Sequence, residues 1–133
     1  MDITESLIYP QDFQKRMTSL VACIGADQKA WGHVARLIKD QEWENVYLIM
    51  PDEAKSFVCD KSAEYIIIDT KKPVKELIID IIKALQDKVS FQDVALNLVS
   101  GSGKEHMAIL SALLKLGAGI RLVAVTKDGI EEI

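Results

Sequence analysis

The stretch VALNLVSGSGKEHM, residues 94–107, is the most informative part of the sequence for the fold. An apolar run (94–99) leads into a segment rich in glycine and serine (100–104), and a helical pattern follows. Glycine allows positive φ angles and close approach of other groups, and the free N–H groups of a helix N-terminus attract anions. The pattern predicts a strand, a tight loop and a helix, in which the loop is either an anion site or a plain turn.

Four further apolar runs resemble the one before this loop. Each holds about five or six residues, many of them β-branched, and most are continuous rather than alternating, which is typical of strands buried on both faces. The predicted strands are 20–24, 46–50, 65–69, 94–99 and 120–125.

Three segments between these runs predict helices, at 28–41, 73–88 and 105–116. In the second segment Val74, Leu77 and Ile81 belong to one apolar stripe at helical spacing. The third segment is apolar nearly all round, so we expect it to pack against the sheet and against a further surface such as a second subunit. Segment 51–61 is too short to predict a helix, and the acidic run 128–132 is predicted to be a solvated end.

Strands that alternate with helices predict an α/β fold, here a Rossmann-like three-layer sandwich with helices on both faces of a mainly parallel five-stranded sheet. Right-handed crossovers favour the strand order 3-2-1-4-5. Ligands bind such sheets where the winding reverses, which would be between the loops after the first and fourth strands. We predict one domain over 19–133, after an N-terminal extension (1–18) in which 10–17 fits one or two helical turns.

Composition excludes several classes of protein. The formal net charge of −4 over 133 residues leaves no uniform basic surface for long nucleic acid. No apolar run approaches the roughly 20 residues of a membrane-spanning helix, and the N-terminus is acidic where a secretory signal would be basic. We therefore predict a cytoplasmic protein that binds neither long nucleic acid nor a membrane.

Common cofactor and metal motifs are missing from the sequence. A Walker A loop (GxxxxGK followed by Ser or Thr) would need glycine at Leu98 and a hydroxyl residue at Glu105. No GxGxxG follows the first strand, and the two cysteines form neither a CxxC pair nor a zinc-ligand spacing with histidine. No cofactor, metal site or disulfide framework is predicted.

Individual residues near the two loops each have a functional and a structural interpretation. Lys104 could hold a phosphate. A lysine is electrostatically unfavourable at the positive N-terminus of a helix, so binding an anion would explain its position. His106 could be a general acid or base or a hydrogen-bonded structural residue. Asp27 could either contact a base or ribose or act as a helix N-cap. Asn97 could either contact a ligand or hold the loop by hydrogen bonds. His33, in the first predicted helix, is expected to be structural.

The segment 94–107 resembles the second signature of the CARF domains, the CRISPR-associated Rossmann-fold sensors of cyclic oligoadenylates. In that family a strand ending in Asn or Asp precedes a serine- and glycine-rich loop, then Lys or Arg, then a methionine and a small, apolar helix. This chain has Asn97, the loop 100–104 and Met107, with Gly101-Ser102-Gly103 where the family has two adjacent glycines. Residues 21–29 resemble the weaker first signature, and the order of elements agrees across 19–126.

The resemblance implies a stand-alone, single-domain member that binds a cyclic oligoadenylate across a homodimer, in type III CRISPR antiviral signalling. Because no output domain follows within this sequence, a separate effector protein would read the signal, or the chain would act as a sink. The implied ligand-binding residues are Gly25, Ala26, Asp27, Gln28, Lys29, Asn97, Ser100, Gly101, Ser102, Gly103, Lys104 and Met107.

Two alternatives remain open from the sequence. One is a metal-independent ring nuclease that cleaves cyclic oligoadenylate, for which in-line positioning and charge stabilisation would suffice. Its candidate catalytic residues are Lys104, Ser102 and His106. The other is a non-enzymatic, Rossmann-like interaction protein that has no nucleotide ligand and whose glycines only turn the chain.

Overall fold

The computed structural model describes residues 19–59 and 61–133. The predicted extension, 1–18, and the helical turns expected at 10–17 lie outside the described residues. The strands are β1 (Ser19–Cys23), β2 (Asn45–Pro51), β3 (Glu64–Ile68), β4 (Asp93–Asn97), β5 (Gly119–Thr126) and β6 (Gly129–Glu132). The α-helices are α1 (Trp31–Lys39), α2 (Val74–Val89) and α3 (Gly103–Lys115), and short 3-10 helices span Gln28–Ala30 and Asp52–Ala54.

The strands form one six-stranded sheet in the order β3-β2-β1-β4-β5-β6. The pairs among β1 to β5 are parallel, and the central strand β1 places Leu20 beside both Val46 of β2 and Ala95 of β4. The winding of the sheet therefore reverses between β1 and β4. The α/β class and the mostly parallel sheet agree with the prediction. The predicted count of five strands and the order 3-2-1-4-5 lack the sixth strand, β6, at the edge beside β5.

The additional strand β6 corrects the prediction of a solvated acidic end at 128–132. It pairs antiparallel with β5, with Val125 opposite Ile130, and Ile130 packs against the core. Gly129 has a φ of 108°, and the hydroxyl of Thr126 accepts the N–H of Asp128 at 3.1 Å. An Asp-Gly pair between strand-forming residues is a hairpin signal, and it lies within the acidic run.

Two apolar clusters lie on opposite faces of the sheet, which places helices on both faces. Val21 and Cys23 of β1 belong to the cluster formed with α2 and α3. Leu20, Ala22 and Ile24 belong to the other cluster, formed with α1 and the segment 54–57. Because successive side chains of a strand point to opposite faces, a strand covered on both faces must be apolar throughout. This explains the continuous apolar run at 20–24.

Two helices begin or end at other residues than the sequence indicates. The predicted helix 28–41 is divided into a 3-10 turn and the shorter helix α1. After α1 ends, the Trp43 indole donates to the Leu37 carbonyl of its last turn at 2.9 Å. Helix α3 begins at Gly103, two residues before its predicted start at 105. Among the described residues, no helix is long and apolar enough to cross a membrane.

Candidate functional site

Two loops meet at the carboxyl edge of the sheet, where the winding reverses. The first loop (residues 24–30) follows β1, and the glycine loop (residues 98–102) follows β4. The Gly25 N–H donates to the Ser100 hydroxyl at 2.8 Å. A Cβ added to Gly25 would lie 2.6 Å from the Gly101 Cα, so only glycine allows this backbone contact. The two loops are therefore in direct contact rather than separated by an open crevice.

Gly101 has a geometric requirement of its own. Its φ is 100°, in the region that favours glycine, and a Cβ there would lie 2.5 Å from the Cys23 Sγ. The loop thus turns closely over the end of β1. Gly103 differs, since a Cβ on it would meet nothing within 4 Å. Geometry accounts for Gly25 and Gly101 but not for Gly103.

Glu105 fastens the start of α3 and is a residue that the sequence interpretation missed. Its side chain is 6% exposed, and its Oε1 accepts the N–H of Ser102 at 2.9 Å and the Ser102 hydroxyl at 2.8 Å. A carboxylate at this position also complements the positive end of the helix. The Ser-x-x-Glu spacing of 102–105 is a capping-box signal, so the sequence did contain the information.

The other Glu105 oxygen faces a buried thiol. The Cys23 Sγ donates to Oε2 at 3.8 Å, and Cys23 itself is fully buried. Burial, and then the neighbouring negative charge, raise the pKa of the Cys23 thiol far above its ordinary value of 9.0. Cys23 is therefore a neutral donor beneath the glycine loop, and not a nucleophile.

The three candidate catalytic residues all contact protein atoms. His106 Nε2 lies 2.7 Å from the Ser100 carbonyl oxygen, and because a carbonyl only accepts, this nitrogen carries a proton. The Ser102 hydroxyl donates to Glu105. Lys104 Nζ donates to the Thr70 carbonyl at 2.8 Å and remains exposed, so α3 is connected to the segment after β3. That segment, which includes Lys72, lines a groove of about 480 Å³ together with Asp52.

Asn97 is placed inside the protein rather than at the open edge. Its side chain is 1% exposed. The amide nitrogen donates to the Val123 carbonyl at 2.8 Å and lies 3.2 Å from the His33 Nε2, and the amide oxygen accepts the Val99 N–H at 3.2 Å. Every one of these contacts is internal, so Asn97 fastens the loop. Nothing in the sequence signals the His33 contact, which joins residues 64 positions apart.

The first loop presents a different surface. Ala26, Asp27, Gln28 and Lys29 are all exposed. The Asp27 carboxylate accepts the Lys29 N–H at 3.0 Å, and the Trp31 indole donates to the Gly25 carbonyl at 2.8 Å. Met107, on α3, is also exposed. Among the predicted residues, Gly25, Asn97 and Ser100 are buried, whereas residues 26–29, residues 101–104 and Met107 are exposed.

This edge offers backbone hydrogen-bond donors and the exposed ammonium groups of Lys29 and Lys104. The first-turn N–H groups of a helix have no intrahelical acceptors, and Gly103 and Lys104 occupy that turn in α3. Lys104 adds a charge. Among the described residues, no group of three or more His, Cys, Asp or Glu side chains could hold a metal ion.

A scan against protein-family models gives no match to this sequence, and a search of curated proteins gives none either. The residues of the carboxyl edge, with their resemblance to the CARF signature, are therefore the basis for assigning a function.

Proposed function

We propose that this chain is a CARF-like sensor domain that binds a cyclic oligoadenylate second messenger across a homodimer, in type III CRISPR antiviral signalling in the cytoplasm. The observation that carries the proposal is the contact of Gly25 with Ser100 and Gly101. It joins the two segments that resemble the family's signatures at the point where the sheet reverses its winding. Ligands of open α/β sheets bind at this point.

The donors at this edge suit a phosphodiester. The first turn of α3 presents backbone N–H groups to an anion, and Lys104 supplies a point charge suited to phosphate. The Lys104 side chain is exposed where it donates to the Thr70 carbonyl, so exchanging that partner for a phosphate oxygen costs little. On the first loop, the exposed Asp27, Gln28 and Lys29 are accessible to ribose or base.

A homodimer is proposed from the outer surface of α3. Met107, Leu110 and Leu114 are 66%, 39% and 63% exposed and follow one helical face at i, i+3 and i+7. Leu122 of β5 is also an exposed apolar residue. A two-fold contact through this helix would bring two copies of the glycine loop together, which suits a cyclic ligand with internal symmetry.

Binding is favoured over cleavage by the contacts of the three candidate catalytic residues. His106 donates to a backbone carbonyl, and Ser102 donates to Glu105, whose carboxylate also accepts the Ser102 N–H, so both side chains are engaged in holding the loop and the start of α3. A ring nuclease would have to act through Lys104 and in-line geometry, or exchange these internal contacts for contacts with its substrate. We retain that activity as a measurable alternative.

The test uses purified protein and a panel of cyclic tri-, tetra- and hexa-adenylate. Ligand at 100 times its Kd adds about 2.7 kcal/mol of apparent stability, a clear rise in Tm. Lys104→Ala should weaken binding at least about tenfold, the effect of losing a charge-assisted hydrogen bond. Lys115→Ala is the matched control, because Lys115 lies at the far end of the same helix, where it donates to the Ser111 hydroxyl.

Chromatography of the nucleotide after incubation separates the functions. A rise in Tm with intact cyclic ligand supports the sensor, and linear products identify a ring nuclease. No shift and no cleavage across the panel would overturn the proposal and favour the interaction protein. Sedimentation with and without ligand tests the dimer, and a monomer in both states would contradict it.

A further inference from the structure

A series of hydrogen bonds connects α1 to the start of the glycine loop. His33 Nε2 accepts the Val125 N–H at 3.3 Å and lies 3.2 Å from the Asn97 amide nitrogen. The same amide nitrogen donates to the Val123 carbonyl, and the amide oxygen accepts the Val99 N–H. His33 therefore helps to orient the side chain that holds the first residues of the loop.

These contacts define the protonation state of His33. Both the Val125 N–H and the Asn97 amide nitrogen are donors, so Nε2 must offer its lone pair and the ring proton must be on Nδ1. Protonation would set an N–H against two N–H groups. Burial, followed by the Arg36 charge one turn along α1, lowers the pKa of His33 below its ordinary value. From β4 and β5, the groups that face the ring are the Asn97 amide and the Val125 N–H.

We propose that neutral His33 is a positioning residue of the glycine loop, and that its protonation releases Asn97 and loosens the Val99 end of the loop. The structural part of this inference is independent of any ligand. Its consequence for binding rests on the proposed function: a loosened loop must be ordered again when an anion binds, so affinity should fall in acid.

The structural part is tested by NMR on the ligand-free protein between about pH 7 and about pH 4, because the lowered pKa of His33 places its titration on the acid side of the usual histidine range. We expect the hydrogen-exchange protection of the Val99 amide to fall about tenfold, as expected for the loss of its hydrogen bond to Asn97. The Val99 amide should titrate with the same midpoint as the His33 imidazole.

Two matched variants separate the two histidines. His33→Gln keeps an acceptor near Nε2 but does not titrate, so Val99 protection should change by less than about twofold over the same range. His106→Gln keeps a donor for the Ser100 carbonyl and should retain the full acid response. An acid response that persists in His33→Gln, or a Val99 midpoint that follows His106, would overturn the inference.

Two further readouts keep the test decisive. If His33→Gln does not fold, the wild-type titration still decides, because His33 and Val99 must share a midpoint. For binding, wild-type affinity for cyclic oligoadenylate should fall at least about threefold at the acid end, and that of His33→Gln should not. Absence of binding at every pH counts against the proposed function alone. If the affinity does not change with pH although the Val99 protection falls in acid, only the predicted consequence for binding is overturned.

Discussion

The two loops at the carboxyl edge are neighbours but are built in opposite ways. In the glycine loop Ser100 is buried, and the loop is held by hydrogen bonds to Asn97, Glu105 and His106. The first loop leaves residues 26–29 exposed and is held by the Gly25 contacts and by the Asp27 carboxylate, which accepts the Lys29 N–H. The loop that is fixed by more hydrogen bonds and by a buried side chain meets more of its ordering cost on folding.

This contrast separates stability from binding. Substitutions in the glycine loop should change the free energy of unfolding strongly, because they disturb buried contacts. Substitutions in the first loop should leave stability nearly unchanged and act on ligand affinity. Three changes, taken in order of expected size, test the contrast.

The largest effect is expected from Gly101→Ala. The added Cβ would meet the Cys23 sulfur and would sit at a positive φ, so we expect a loss of about 3 kcal/mol from overpacking and backbone strain. Gly103→Ala is the matched control, because nothing lies within 4 Å of its Cβ. It should be neutral or stabilise by up to about 1 kcal/mol. Urea unfolding followed by circular dichroism measures both, and equal changes would contradict the geometry.

A smaller loss is expected from Glu105→Ala. The buried carboxylate accepts two hydrogen bonds from Ser102, and their removal should lower the free energy of unfolding by about 2 kcal/mol. Glu105→Gln keeps one amide oxygen as acceptor and should lose only about half as much. Glu76 occupies the first turn of α2 but is exposed, so Glu76→Ala is the control. If both alanine variants unfold alike, the cap is not stabilising.

The smallest effect is expected from Asp27→Ala on the first loop. It removes one exposed hydrogen bond to the Lys29 N–H, so the loss should stay below about 1 kcal/mol, and Asp27→Asn should be nearly neutral. The same unfolding measurement checks this order. A loss larger than that of Glu105→Ala would mean that the first loop is as firmly built as the glycine loop, and the contrast would fail.

Prediction from the sequence succeeded where the signal was local. The five apolar runs of 20–24, 46–50, 65–69, 94–99 and 120–125 each fall on a strand, because strands buried on both faces must be apolar throughout. Local signals were also misread. The Asp-Gly pair at 128–129 is a hairpin signal, so the prediction of a solvated end there is wrong, and the Ser-x-x-Glu spacing at 102–105 signals the cap that the structure shows.

Other features could not be predicted from any local pattern. The contact of Gly25 with Gly101 depends on β1 and β4 being neighbours in the sheet. The interior position of Asn97 depends on His33 and on β5. A polar residue at the end of a strand looks the same in sequence whether it faces solvent or a partner from a distant segment.

The order of strands and helices, the α/β class and the glycine-rich turn before α3 follow from the sequence, because hydrophobic periodicity and turn chemistry act over a few residues. Which residues of the two loops are buried, which glycines are indispensable and which side chains remain accessible to a ligand were decided by the tertiary structure. Those properties depend on contacts between residues such as Cys23 and Glu105, 82 positions apart, which only the assembled sheet brings together.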